Sequence, residues 1–180
     1  MVVEKHDIKG LLTITIDSHP DNRGVFYEGF NEKEFRIKTG LNKRFVQDNF
    51  SFSVKNVLRG MHYQVHKPQA KLVMVTRGEI FDVAVDLRRK SQTFGRWFGI
   101  YLSNKNFKQL YIPEGFAHGF AVISNEAHVV YKTSEFYYPE FERSIIWNDS
   151  DLNIDWPISN PTLSKKDQHA ENFKLSECFQ

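Results

Sequence analysis

The feature that most constrains the fold of this sequence is a series of short β-type segments, spaced about ten residues apart. Two central segments, Lys71–Thr76 and Ile80–Asp86, flank a tight turn at Gly78. The other segments of this kind are Leu11–Ile16, Val25–Phe30, Arg44–Phe52, Val57–Gln64, Arg96–Leu102, Gln109–Ile112, Gly119–Ile123 and His128–Thr133. Short strands at even intervals, separated by turn residues, predict an all-β barrel or sandwich.

Local patterns within the chain refine this prediction. Apolar and polar side chains alternate along Ile80–Asp86, with Asp82 on the polar face, which predicts a half-buried strand. Helix signals are scarce. The segment Glu32–Thr39 predicts one short helix, capped by Asn31 and ended by Gly40, and the last twenty residues predict another. Because no repeat or linker divides the chain, we expect a single domain over residues 1–180.

The charge balance excludes several classes of protein. Lys and Arg number 24 against 22 Asp and Glu, a net charge of +2, so the sequence does not indicate a nucleic-acid or membrane-surface protein. No apolar run has the length of a membrane span, and the first residues have no apolar signal core. The lone Cys178 fits a reducing compartment, so we expect a soluble cytoplasmic protein. Aromatic residues reach 14%, which suggests a thick β core, a subunit interface or a site that stacks on planar ligands.

Two motifs carry residues suited to chemistry. One spans Leu58–Gln64 and continues to Lys71 and Gly78; the other spans Pro113–Gly119. Their spacing resembles that of the cupin superfamily, which implies a jelly-roll barrel, the double-stranded β-helix of cupins. Metal cupins place His, His, Glu and His at the positions that are His62, Gln64, Lys71 and His118 here. A lysine repels a divalent cation and glutamine is a poor ligand, so we expect no metal in this barrel.

Two histidines and a lysine in one pocket favour acid–base chemistry on an anionic or carbonyl-bearing ligand. Regular alternation places Lys71 on the apolar face of its strand, with Val73 and Val75. The same alternation separates Arg59 from His62; for Arg59 to share the site, as the family resemblance described below implies, Gly60 must allow a β-bulge. The remaining histidines fit surface or structural roles.

A much closer resemblance covers residues 21–167. The sequence is similar to the dTDP-4-dehydrorhamnose 3,5-epimerase family in many separate blocks in the same order. These blocks are Asp21–Phe26, Val46–Asn49, Val57–Gln64, Pro68–Val73, Gly78–Arg88, Ser91–Gly95, Ile112–Phe120, Tyr131–Thr133, Trp147–Asp149, Ile154–Pro157 and Leu163–Asp167. One departure is Gln168, where many family members have arginine.

The resemblance implies a cofactor-free epimerase of dTDP-4-dehydro-6-deoxy-D-glucose that acts at C3 and C5. The product would be dTDP-4-dehydro-L-rhamnose, a precursor of surface polysaccharide. In this scheme His62 is the base, Asp167 orients its imidazole and Tyr131 is the acid on the opposite face. Lys71 stabilises the enolate, and His118 lines the same cavity.

The resemblance also implies a set of binding residues. Arg23, Arg59 and Lys166 meet the diphosphate or the sugar, where cations suit anions. Glu28, Glu142, Gln47 and Asn49 contact the nucleotide and sugar, and Phe26 and Tyr137 lie beside the ligand, with Tyr137 stacking on thymine. Arg23 and Glu28 reach over from a neighbouring subunit, which implies a homodimer.

Three other functions remain open from the sequence. One is an enzyme of the same fold that inverts a single centre or acts on another nucleotide-linked 4-ketosugar. A second is a non-catalytic module that binds sugar nucleotides, which the intact His62, Asp167 and Tyr131 argue against. A metal-dependent cupin oxygenase is the third, and Gln64 and Lys71 argue against it.

Overall fold

The computed structural model describes residues 1–180 and consists mainly of antiparallel strands. The strands are β1 (Val2–Lys5), β2 (Leu12–Thr15), β3 (Ser18–Asp21), β4 (Gly24–Tyr27), β5 (Gln47–Val54), β6 (Leu58–Gln64), β7 (Lys71–Arg77), β8 (Glu79–Asp86), β9 (Trp97–Ser103), β10 (Lys108–Ile112), β11 (Phe116–Val122), β12 (Glu126–Thr133) and β13 (Glu142–Ser144). The helices are α1 (Glu32–Thr39) and α2 (Lys165–Gln168), with 3₁₀ turns at Pro139–Phe141 and Phe173–Leu175.

Two sheets form a jelly-roll barrel of the cupin type. A six-stranded sheet has the order β1-β2-β10-β7-β12-β5, a five-stranded sheet has the order β13-β6-β11-β8-β9, and β3 and β4 form a separate hairpin. Side chains from both sheets meet in a buried core that includes Val73, Ile80, Leu110, Phe116 and Val129. The predicted all-β fold is confirmed.

The strands on either side of Gly78 do not pair with each other. Strand β7 pairs with β10 and β12, whereas β8 pairs with β9 and β11, so the turn passes the chain from one sheet to the other. Gly78 has a φ of 80°, and a Cβ there would lie 2.0 Å from the carbonyl oxygen of Glu126. Only glycine fits this crossing without moving the backbone.

The prediction that β8 is half-buried is wrong. From Ile80 to Asp86 every residue is buried, because a second apolar cluster covers the outer face of this sheet. That cluster joins Val83 and Val85 of the strand to Trp156 and Phe179 of the C-terminal region. With that face covered outside, the opposite face, which carries Asp82 and Asp86, turns toward the barrel interior with Ile80 and Ala84, and both carboxylates are buried.

Helix α1 has the predicted bounds. The side chain of Asn31 accepts a hydrogen bond from the backbone N–H of Glu34, and Gly40 ends the helix in the left-handed conformation. Phe35 on this helix covers the outer face of the six-stranded sheet, against Leu72 and Tyr111. Apolar clusters thus cover part of the outer face of each sheet.

Candidate active site

A cavity of about 400 Å³ opens between the two sheets. One wall is formed by β5, β7 and β12 of the six-stranded sheet, and the other by β6 and β11 of the five-stranded sheet. The predicted site residues that line it are Gln47, Asn49, Arg59, His62, Lys71, His118, Tyr131, Tyr137 and Glu142. Its volume lies within the range of small-molecule sites, about 300–1,000 Å³.

A bulge in β6 brings Arg59 and His62 to the same cavity. In the pairing of β6 with β11, His62 lies opposite His118 but Arg59 lies opposite Phe120, so β6 contains one extra residue. Gly60 has a φ of 119°, and a Cβ there would lie 2.5 Å from the Cα of Gly119. The bulge expected at Gly60 is therefore present.

His62 is paired with a carboxylate from the C-terminal region. Its Nε2 lies 2.6 Å from Oδ1 of Asp167, whose backbone N–H is held by the Ser164 hydroxyl at the start of α2. Burial opposes ionisation of Asp167, but the hydrogen bond and charge of His62 hold the pKa of the carboxyl below its ordinary value. A carboxylate only accepts, so Nε2 donates and Nδ1 is left as the basic nitrogen of the ring.

A second histidine–carboxylate pair lies deeper in the cavity. His118 Nε2 is 2.8 Å from Oδ1 of Asp82 on the adjacent strand, and the two side chains are 6% and 0% exposed. Burial lowers the pKa of His118, although the Asp82 carboxylate acts in the opposite direction. Asp82 Oδ2 has no hydrogen-bond partner in the structure. Sequence reasoning placed His118 in the cavity but missed Asp82, whose alternation with apolar residues indicated solvent.

Lys71 and Tyr131 lie on neighbouring strands of the opposite wall. Lys71 Nζ is 3.5 Å from the carbonyl oxygen of His62 and 6.0 Å from the centre of the Tyr131 ring. Burial lowers the pKa of Lys71 to about 8, partly offset by the charge of Asp82. Burial also raises the pKa of Tyr131, so its hydroxyl keeps its proton at neutral pH. Lys71 shares its face of β7 with buried Val73 and Val75, as predicted.

A chain of polar contacts runs along the mouth of the cavity. The Gln47 amide donates to Asn49 Oδ1, and its oxygen accepts from the backbone N–H of Tyr137. The Tyr137 hydroxyl donates to Glu142 Oε2 at 2.8 Å, and Lys166 Nζ lies 2.6 Å from Oε1 of the same carboxylate. These contacts fix a planar ring and two charges beside the opening.

Arg59 lines this cavity, whereas the predicted binding residues on and beside the β3–β4 hairpin do not. The Arg59 guanidinium donates to Ser53 Oγ at 2.9 Å, at the cavity wall. Arg23, Phe26 and Glu28 lie on or next to the hairpin and do not line the cavity of their own chain. The Arg23 side chain is 86% exposed and pairs only with Asp21.

The cavity residues do not form a metal site. No group of three or more His, Cys, Asp or Glu side chains is arranged to hold a metal ion. Gln64, at a ligand position of metal cupins, directs its amide to the backbone of Lys67, Phe136 and Tyr138.

No helix of the structure is long and apolar enough to cross a membrane.

An imidazole, a phenol and an amine therefore line one cavity. His62 lies on one wall and Tyr131 on the other. Lys71 lies on the same wall as Tyr131. This arrangement suits removal of a proton from one face of a substrate and delivery of a proton to the other.

Comparison with known proteins identifies relatives over nearly the whole chain. A family profile of dTDP-4-dehydrorhamnose 3,5-epimerase matches residues 5–175. The chain is 52% identical over 160 residues to the dTDP-4-dehydrorhamnose 3,5-epimerase of Pseudomonas aeruginosa, covering 88% of each chain. Its structure is similar to a dTDP-6-deoxy-D-glucose-3,5-epimerase from Legionella pneumophila in complex with dTDP-4-keto-L-rhamnose. In that comparison the TM-score is 0.94 and the identity 48%, with 97% and 94% of the two chains covered. A 3′-monoepimerase from Streptomyces bikiniensis shares the fold at a TM-score of 0.87 and 34% identity, with 93% and 85% covered.

Proposed function

Because this chain belongs to the dTDP-4-dehydrorhamnose 3,5-epimerase family, we propose that it converts dTDP-4-dehydro-6-deoxy-D-glucose to dTDP-4-dehydro-L-rhamnose. The enzyme inverts C3 and C5 by removing a proton from one face and adding one to the other. The observation that carries this proposal is the position of His62 and Tyr131 on opposite sheets that face one cavity.

The first half of the reaction is proton abstraction. Nδ1 of His62 removes the hydrogen at C5 or C3, which the neighbouring C4 ketone makes acidic, and the electron pair of the broken C–H bond moves into that ketone. The resulting enolate oxygen is stabilised by the Lys71 ammonium. Asp167 stabilises the imidazolium that forms, through the 2.6 Å contact at Nε2.

The second half is reprotonation from the opposite wall. The Tyr131 hydroxyl gives its proton to the carbanion carbon, and the ketone forms again with the centre inverted. Proton exchange with solvent then restores His62 and Tyr131 for the second centre. The raised pKa of Tyr131 supports this role, because the phenol is protonated when the enolate appears.

A time course in D₂O followed by NMR tests the reaction. We expect deuterium at both C3 and C5, with both centres inverted. Label and inversion at C3 alone would indicate a monoepimerase, and no label at either carbon would indicate a binding module. In Tyr131→Phe, label should enter mostly with the original configuration, because the base still works and the acid is gone. Tyr101→Phe, on β9 outside the cavity, is the matched control and should behave as wild type.

The proposal extends to a homodimer in which the β3–β4 hairpin of one chain completes the cavity of the other. Two observations support it. Arg23, Phe26 and Glu28 lie away from their own cavity, and Phe26 is 71% exposed. Strand β5 is a sheet edge that exposes Phe50, Phe52 and Val54.

The Cys178 thiol is free, which supports a cytoplasmic location.

Subunit complementation tests this dimer. Arg23→Ala and His62→Asn chains should each be nearly inactive alone. After the two are unfolded together and refolded as a mixture, mixed dimers contain one cavity with an intact His62 and an intact partner arginine. We expect activity to return to roughly a quarter of wild type for random pairing. If the mixture stays inactive while light scattering shows dimers, the hairpin does not reach the neighbouring site.

A further inference from the structure

Gln64 uses its whole amide to hold one short loop. The side chain is 3% exposed at the end of β6. Its Nε2 donates to the carbonyl oxygens of Lys67 at 2.9 Å and Phe136 at 3.2 Å, and its Oε1 accepts from the backbone N–H of Tyr138 at 2.8 Å. The amide therefore joins two segments of backbone that no strand pairing connects.

Tyr137 lies between the two points that Gln64 holds. Phe136 provides the carbonyl before it, and Tyr138 provides the N–H after it. The Tyr137 ring itself is 49% exposed, and its only side-chain hydrogen bond is to Glu142. With so little packing of its own, the ring takes its direction from its hydrogen bond to Glu142 and from the backbone that carries it, which Gln47 also holds at the Tyr137 N–H.

We propose that Gln64 is a positioning residue that sets the Tyr137 ring as a flat wall for the base of the nucleotide. This inference rests on the proposed function, in which that ring stacks on thymine. Base stacking depends on the distance and tilt of the two planes, so a loosened loop weakens it. The base is remote from C3 and C5, and the effect therefore falls on nucleotide affinity and not on the chemical step.

The chemistry of an amide explains why glutamine suits this position. Two carbonyl oxygens require donors and one N–H requires an acceptor, which only an amide of this length supplies together. A glutamate would bring its charge against two carbonyl oxygens. A methionine of similar length would remove all three hydrogen bonds and leave these backbone groups beside an apolar side chain.

The test compares Gln64→Met with a matched control, Asn106→Leu. Asn106 also makes three hydrogen bonds to backbone, accepting from Ser103 and Lys108 and donating to Tyr101, in a turn outside the cavity. For each protein, calorimetry gives the Kd of dTDP, kinetics give KM and kcat, and thermal unfolding gives Tm. Hydrogen exchange reports the Tyr138 amide directly.

In Gln64→Met we expect the Kd of dTDP and the KM to rise about tenfold, the order of losing part of one base–aromatic stack. The kcat should stay within about twofold of wild type, and the Tyr138 amide should exchange faster. Asn106→Leu should lower Tm without changing the Kd. Adding Gln64→Met to Tyr137→Ala should weaken dTDP binding little further, because both changes act on the same ring.

Two results would overturn the inference. One is an unchanged Kd of dTDP in Gln64→Met, and the other is full additivity with Tyr137→Ala, which indicates general destabilisation. Binding of dTDP does not require turnover, so a wild-type protein that binds dTDP without epimerising the sugar would refute the proposed function and still test Gln64. A wild type that does not bind dTDP would overturn both.

Discussion

Two histidine–carboxylate pairs face the same cavity, and their surroundings give them different chemistry. The His62 side chain is 29% exposed, and its partner Asp167 comes from a helix 105 residues further along the chain. His118 is 6% exposed, and its partner Asp82 lies on the adjacent strand with no exposure. The first pair has an imidazole that lines the cavity and is partly open to solvent. The second pair places a neutral ring and a fixed negative charge near Lys71.

The difference shows that access to solvent and ligand decides what such a pair does. The proposed base must exchange its proton in every cycle, and the His62 side chain is open enough for solvent to reach it. Burial lowers the pKa of His118 and disfavours its charged form. Asp82 instead raises the pKa of Lys71 and helps to keep the ammonium protonated in a buried place.

Removing the open histidine should have the largest effect. His62→Asn should abolish exchange at both C3 and C5, because one base serves both centres, and a positioned acid–base group contributes about 10²–10⁴-fold. His6→Asn is the matched control, since His6 also has a ring nitrogen bonded to an oxygen, that of Thr13, but lies outside the cavity. NMR in D₂O measures both variants. Exchange of either hydrogen at a near wild-type rate in His62→Asn would show that another group is the base.

Removing the charge of the first carboxylate should have a smaller effect. Asp167→Asn keeps the shape of the side chain but no longer stabilises the imidazolium, so kcat should fall by roughly ten- to hundredfold, less than for loss of the base. Activity should fall at high pH as Lys71 loses its proton, and Asp167→Asn should not move this fall. The charges that act on the pKa of Lys71 are those of Asp82, Glu142 and Lys166. Steady-state kinetics over a range of pH check both points. A loss as large as that of His62→Asn would mean that Asp167 does more than orient.

Removing the charge of the second carboxylate should move the pH profile instead. Lys71 must be protonated to stabilise the enolate, so activity should fall as pH rises through about 8. Asp82 raises the pKa of Lys71, and Asp82→Asn should therefore shift this limb to lower pH. A limb lower by about one unit corresponds to roughly fivefold less protonated Lys71 at pH 8. If the wild-type activity falls at high pH and Asp82→Asn falls at the same pH, Asp82 does not set the pKa of Lys71.

Chelation should have no effect on either pair. In a metal cupin the residues at positions 62 and 118 would bind one ion, and EDTA would disable both together. With Gln64 and Lys71 at the other two positions, we expect EDTA to leave activity unchanged and elemental analysis to find no stoichiometric transition metal. About one Fe, Mn or Zn per chain, with activity lost on chelation and restored by that metal, would contradict this.

The contrast between the pairs also shows what the sequence could predict. Helix α1 has its predicted bounds because Asn31 and Gly40 act locally. The bulge at Gly60 followed from the need to bring Arg59 to the face of His62, and it is present. Local signals were sufficient for the helix, whereas the bulge required the family resemblance in addition to the alternation of the strand.

The errors arose where distant segments decide the environment. Strand β8 is buried on both faces because Trp156 and Phe179 cover it, which alternation within the strand does not show. Asp82 was for that reason read as solvent-facing and missed as the partner of His118. Asp167 reads as an exposed charge in a polar tail, and only the family resemblance linked it to His62.

The separation of Asp167 from His62 has a consequence for synthesis of the chain. Every strand that lines the cavity precedes Asp167, and 105 residues separate it from His62. At about 5–20 residues per second, the ribosome adds this carboxylate on the order of 10 s after the histidine. Until helix α2 has been added, the chain holds the His62 imidazole with no carboxylate available to pair with it. Pairing of His62 with its carboxylate therefore depends on helix α2, the second of the two helices to be synthesised.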